Sequence, residues 1–347
     1  MRSRPKRRAR PLPCNPNDRG RLPVPEPSAT LDIFGASVPR SSAIRAAACT
    51  VLAAGLAAPL LRRRLRLKPP VVIAAAAATP FALAVLVPRS RARDIGMCTL
   101  QMYAYLATYQ MPNDDPEALL KRVRVEYPVK ADRAIGRGTT PTLRLQRAFG
   151  TPGRFRHWEK VLVWSHWVWF AFPHGTVLYV LLRHREQFPR AAARIYATFD
   201  LGVIGYWAIP TAPPWFAAQR GLMEDGLTPE LRRMMVEYGE QFWKQGWAPL
   251  YGVLGGNPLA AMPSLHFATS VTAAHVLSDT GRVAGALGWT YAATLGLALV
   301  YLGEHYVVDL LAGLTLAEGI RTATPAVSST TRRVSSALQA IEARTRG

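Results

Sequence analysis

The chain has 347 residues, 49% apolar and 19% charged, and a formal net charge of +21. Its apolar residues gather into runs approaching the roughly 20 residues that a helix needs to span a bilayer, which excludes an ordinary soluble protein. The basic residues cluster beside those runs without interleaved aromatics or zinc-ligand spacing, which excludes nucleic acid as the partner and points to membrane lipids instead.

In chain order, residues 1–40 are rich in Pro and Arg and are expected to form a disordered basic cytoplasmic tail. They lack a short apolar core with a small-residue cleavage site, so no cleaved signal peptide is expected. Residues 41–90 hold two N-terminal apolar spans, Ala46–Leu61 and Val71–Pro88, separated by "RRRLRLK" (62–68). Residues 91–160 read as an interfacial or extracytoplasmic segment. Within them Asp94–Met111 carries no charge after its first residue and is either an extra crossing or an interfacial helix. Residues 161–321 carry five further apolar segments: Val161–Leu182, Ala191–Pro210, Ala261–Leu277, Ala284–Leu302 and His305–Ile320. Residues 322–347 form a basic cytoplasmic tail. The fold class is therefore all-α, a polytopic membrane helix bundle of six to eight spans. Cys14, Cys49 and Cys98 are too scattered for a disulfide framework or a metal cluster.

Short basic links at Arg183–Arg190 and Thr280–Arg282 contrast with the mixed-charge loop Thr211–Ala260. The bias of Lys and Arg toward the cytoplasm puts the links inside and the loop outside. Integration into the plasma membrane follows, with Ala261 and the Leu302–Glu304 turn on the extracytoplasmic side. If Val71–Pro88 crosses outward, Arg89–Lys160 lies outside as well.

Two of these outer ends carry ionisable residues, which are costly in hydrocarbon and mark function by default. "NPLAAMPSLHFATS" (257–270) opens one span with Pro263, Ser264 and His266. Proline suits a first helical turn, and such a helix start offers free N–H groups to an anion. "YLGEHYVVDLLAG" (301–313) opens the next. With a helix beginning near Glu304, His305 and Asp309 share one face at i, i+4, Asp309 lying about 6 Å deeper. Its carboxylate can take the Nδ1 proton of the imidazole and leave Nε2 nucleophilic. Ala312 and Gly313 continue that face and permit close helix contact. Glu304 points elsewhere, to the interface.

"PSLH" followed by "GEHYVVD" resembles the type 2 phosphatidic acid phosphatase superfamily, over roughly residues 160–320, and "PTAPPW" (210–215) looks like its branch of inositol phosphorylceramide synthases. The resemblance implies a six-span core without metal or other cofactor, and an enzyme acting on a phospholipid or other lipid phosphate. It assigns His305 as nucleophile forming a phosphohistidine, Asp309 as its orienting acid, and His266 as the acid that protonates the leaving oxygen and then activates the acceptor. Ser264 would hydrogen-bond phosphate oxygens. The acceptor would be inositol, another polyol or water. This chain departs from the family pattern at Ala298 and Leu299, where Ser-Arg is usual, and has no Arg-Pro pair at "PTAPPW". Another cation must then neutralise phosphate. Arg220, Arg232, Arg233 and Lys244 share the outer loop, and Arg220 is favoured for its nearness to Pro214.

Other readings of these residues exist. Two histidines and one carboxylate also form an iron triad or clamp a haem, but nothing supplies further ligands. A transporter would place its charges at broken helices near the midplane and show internal repeats, which are absent. An inactive lipid-binding relative would explain the missing arginine, and a lipid phosphatase would share the chemistry with water as acceptor. His166 and His174 lie in a Trp-rich span where packing outweighs substrate contact, His166 being the better candidate for it. His275 lies on the opposite helix face from His266. Asp200 sits near mid-span without an evident partner. Trp207 and Trp215 read as interface anchors.

Overall fold

The computed structural model describes residues 30–33, 36–223, 231–254 and 256–346, so the expected disorder of the N-terminal tail falls largely outside the described residues. Among these the fold is all-α, with one two-stranded antiparallel hairpin, β1 (Thr30–Ile33) and β2 (Ala36–Pro39), ahead of the first helix. Helices α1 (Arg40–Leu61) and α2 (Pro69–Leu86) are Ala-rich and pack together as a hairpin. α3 (Arg91–Gln110) follows, and then three short helices, α4 (Pro116–Arg122), α5 (Glu126–Ile135) and α6 (Pro141–Phe149). Proline at the first position of α4 and α6 is well placed, because its missing N–H has no intrahelical partner there.

The expected span 161–182 is two helices, α7 (His157–Val168) and α8 (Phe172–Arg183), joined by a tight turn at Trp169–Ala171. Pro173 explains the break: it cannot donate, and its ring would clash with the carbonyl of Trp169 in a continuous helix. The remaining elements are α9 (Phe188–Ala208), α10 (Pro214–Gln219), α11 (Met234–Trp243), α12 (Trp247–Leu254), α13 (Leu265–Thr280), α14 (Arg282–Tyr301) and α15 (Val307–Arg346).

Among the described residues, three helices are long and apolar enough to cross a membrane: Ser41–Leu61, Pro69–Leu86 and Arg282–Tyr301. The other expected spans fall short for visible reasons. α13 has only 16 residues, and α9 carries Arg190, Arg194 and Asp200. Two of those charges are partnered within the bundle: Arg194 pairs with Asp279 at 2.8 Å, and Gln101 donates to Asp200 at 2.7 Å, which supplies the partner missing from the sequence reading.

Contacts at helix ends give the direction of each pass. The starts of α13 and α15 meet where His266 faces His305. The end of α3 lies at this same site end, the Tyr109 hydroxyl donating to the Asn257 carbonyl at 3.3 Å. Arg62 and Arg63, just past α1, also reach it by pairing with Asp114 at 2.7 Å. The opposite end holds Arg93 of α3 and Arg89, both paired with Glu342 of α15 at 3.1 Å. So α1 runs toward the site end, α2 away from it, and α3 back toward it.

Val71–Pro88 carries the chain away from the site end, so that Arg62–Lys68 lies beside the site and Arg89 opposite it. The apolar hairpin looks alike from either end, and the distant Asp114, which neutralises part of the basic run, is invisible to local charge counting. Residues 91–110 run the length of the bundle, and the 322–346 tail continues α15 as one helix.

Candidate active site

Tyr301 ends α14, and Gly303 turns the chain at φ 84°, a conformation that a side chain strains; a Cβ there would also meet the Arg232 carbonyl at 2.8 Å. The amides of Glu304 and His305 both donate to the Leu299 carbonyl, at 3.1 and 3.0 Å. α15 starts only at Val307, so His305 precedes the helix rather than sharing its face with Asp309 as the spacing suggested. What joins them is a cap: Asp309, third in the helix, accepts the Tyr306 N–H at 2.9 Å with Oδ2. That same Oδ2 faces His305 Nδ1 at 3.2 Å. His305 and Asp309 are buried.

The second element opens at Ser264, the N-cap of α13, whose Oγ accepts the Phe267 N–H at 3.4 Å. Pro263 therefore stands before the cap and outside the first turn. The Ser264 amide donates to the Asp309 carbonyl at 3.0 Å, and the Tyr206 hydroxyl donates to the Pro263 carbonyl at 2.9 Å. These bonds lock the two helix starts together and set His266 Nδ1 3.3 Å from His305 Nε2, the rings edge to face at 64°. With both rings neutral, one arrangement of protons satisfies both contacts. Nδ1–H of His305 donates to Asp309, leaving the Nε2 lone pair to accept Nδ1–H from His266.

Both histidines open onto a cavity of about 560 Å³ walled mostly by aromatic rings. His166, Arg233, Asn257 and Glu304 also line it. His166 stacks on His266 with centroids 4.8 Å apart, and its buried Nδ1 has no partner in the described structure; Asn257 Nδ2 is likewise unpartnered. Trp169 packs on the other side of His266 at 4.1 Å.

Glu304 is turned into the site rather than to the interface, because the Gly303 turn aims it at Arg233. Their contact is bidentate, Nε to Oε1 at 3.0 Å and Nη2 to Oε2 at 3.1 Å. Trp215 covers the guanidinium at 4.0 Å and lines the cavity instead of anchoring the exterior. Arg220, favoured from sequence, is exposed, stacks over Phe216 at 4.6 Å, and is not among the cavity's lining residues; Arg233 is the loop cation that reaches it. Ser264 is fully buried behind the cavity wall and caps its own helix. His174 stacks on Phe199 at 5.6 Å and also lines the cavity, whereas His275 pairs with Glu318 at 2.6 Å and is not among its lining residues.

Two residues that no motif marks support the site from the N-terminal half. Asp132 of α5 is fully buried and accepts the Val308 N–H at 3.0 Å, capping α15 where Tyr306 cannot. Burial raises its pKa to about 6, against the pull of the Val308 and Val307 amides. Gln146 of α6 accepts the Arg232 N–H at 2.9 Å and donates to the Arg232 and Tyr301 carbonyls at 2.8 and 2.7 Å. Asp132 is 176 residues from Val308, and Gln146 is 86 and 155 residues from Arg232 and Tyr301, so neither shares a local pattern with what it holds. Among the described residues no group of three or more His, Cys, Asp or Glu side chains is arranged to hold a metal ion.

Residues 156–322, from α7 into α15, match the sequence model described as the PAP2 superfamily. The match covers just under half of the chain. Over 158 residues, 44% of the chain, the sequence is 28% identical to the phosphoinositol dihydroceramide synthase of Bacteroides thetaiotaomicron. The aligned stretch spans half of that relative's length. No solved structure matches the chain. The matched stretch thus contains both histidines, Asp309, Arg233 and Glu304, while Asp132 and Gln146 lie outside it.

Proposed function

We propose that the chain is an integral membrane enzyme that moves a phosphate or phospho-headgroup from a lipid donor to a hydroxyl acceptor through a phosphohistidine at His305. The observation that carries this reading is the line Asp309–His305–His266, with contacts of 3.2 and 3.3 Å, opening on the cavity. Asp309 holds the proton on Nδ1, so the Nε2 lone pair attacks phosphorus. As the N–P bond forms, the bond from phosphorus to the leaving oxygen breaks, and His266 in its protonated form gives that oxygen its Nδ1 proton. His266 then takes the proton of an acceptor hydroxyl, whose oxygen attacks phosphorus and releases His305. The His266–His305 contact opens to admit the phosphoryl group. Arg233 supplies the charge that faces the phosphate oxygens.

The name of the Bacteroides relative supports an inositol-containing headgroup and a sphingolipid-type acceptor or donor. The site end faces the extracytoplasmic side of the plasma membrane in this reading, because the basic links Arg183–Arg190 and Thr280–Arg282 lie at the other end. The test is a purified-protein assay with lipid labelled in its phosphate, with and without inositol. An inositol-phosphate or phosphosphingolipid product is the expected result. Release of inorganic phosphate alone would assign a lipid phosphatase, and no phosphate movement would reject the enzyme reading.

A further inference from the structure

The cavity wall carries one guanidinium, Arg233, and one carboxylate, Glu304, and they are bonded to each other. With the histidines neutral, the paired site offers no net positive charge to a phosphate. The geometry shows which part of Arg233 is engaged. Its Nε and Nη2 edge meets the Glu304 carboxylate, Nη2 also donates to the Tyr251 hydroxyl at 2.7 Å, and Trp215 covers the face. That two-donor edge fits a carboxylate and a phosphate equally well. The arginine is also fixed in place. Gln146 binds both the N–H and the carbonyl of Arg232, and the Met234 N–H donates to the Leu302 carbonyl at 3.1 Å. Glu304 is instead carried by the Gly303 turn, directly beside His305 in the chain.

We infer that Glu304 occupies the phosphate seat on Arg233 in the empty site, and that an incoming phosphoryl group displaces it. The proposal rests on the reading of His305 as the phosphate-accepting residue and adds an internal competitor to it. The displaced carboxylate stays within reach of the cavity, next to His305, as an acceptor for a hydroxyl or amine of the bound substrate. At rest it prevents a stray inorganic anion from holding the cation beside the nucleophile.

The test measures orthovanadate binding by calorimetry to the full chain in detergent, with folding checked by thermal melts. Glu304→Gln is expected to tighten orthovanadate by about tenfold, because a charged competitor becomes a neutral one. Arg233→Lys, which keeps a charge but loses the fork, is expected to weaken binding and to erase the gain when combined with Glu304→Gln. Unchanged, weaker or absent orthovanadate binding in Glu304→Gln would overturn the proposal and make Glu304 a positioning partner of Arg233. The readout needs no lipid turnover. A protein that shows the tightening yet moves no lipid phosphate would defeat the transferase reading and leave the displacement intact.

Discussion

Gly313 sits where α15 crosses the start of α13, and a Cβ built there would lie 2.6 Å from the Ser264 carbonyl oxygen, where ordinary contact needs 3.4 Å. The obstacle is backbone, locked by the Ser264–Asp309 bond, so the Gly313→Ala variant must part the two helices by close to 0.8 Å. Overpacking of this kind costs about 1–3 kcal/mol of stability. The effect on catalysis should be larger than the effect on stability. The same crossing sets the 3.3 Å between His266 and His305, and a misplacement near 1 Å can cost about 10²-fold in rate. Gly319, on the same helix, has nothing within 4 Å of its Cβ position, and the Gly319→Ala variant is the control, neutral or stabilised by up to about 1 kcal/mol. Paired melts and lipid-phosphate turnover measure both. Wild-type turnover in Gly313→Ala would refute the claim that this close approach sets the site.

Asp309→Asn should leave a folded protein with turnover reduced about 10²-fold or more, since a neutral amide no longer stabilises the Nδ1–H tautomer; kinetics and a melt decide it. Arg220→Ala should keep kcat/KM within about twofold, and a loss comparable to that of Arg233→Lys would restore Arg220 to the site. Asp132 predicts a pH dependence of stability. Its folded pKa, raised by burial to about 6, exceeds the ordinary value of 3.8, so its contribution is fully present below about pH 4 and fades as pH rises through 6. Relative to Asp132→Asn, the wild type should gain melting temperature as pH falls from 7 to 4. Parallel curves would mean that this carboxyl does not titrate as its burial implies.

The helical class, the paired histidines and Asp309 were readable because each rests on a local pattern: long apolar runs, "PSLH", and the four-residue step from His305 to Asp309. The small residue at Gly313 likewise announced a close crossing. Local patterns misled where the backbone departs from an ideal helix. The Gly303 turn delays α15 to Val307, which swings Glu304 into the cavity, and Pro173 splits a span that hydropathy joins. Partners far apart in sequence left no trace at all. Arg233 meets Glu304 across 71 residues, Gln146 meets Tyr301 across 155, and Asp132 meets Val308 across 176. Nearness to Pro214 was therefore a poor guide to which arginine reaches the site. The flanking charges left the direction of α1 and α2 open for the same reason, since Asp114, which pairs with Arg62 and Arg63, lies beyond α3.

The most direct measurement is to trap the phosphate on the enzyme. Full-length protein given labelled lipid donor, quenched in alkali and digested, is expected to carry acid-labile, alkali-stable phosphate on the peptide containing His305, and on no other. The label should be absent from His305→Ala. Phosphate on a different residue, or turnover by His305→Ala at the wild-type rate, would contradict the account.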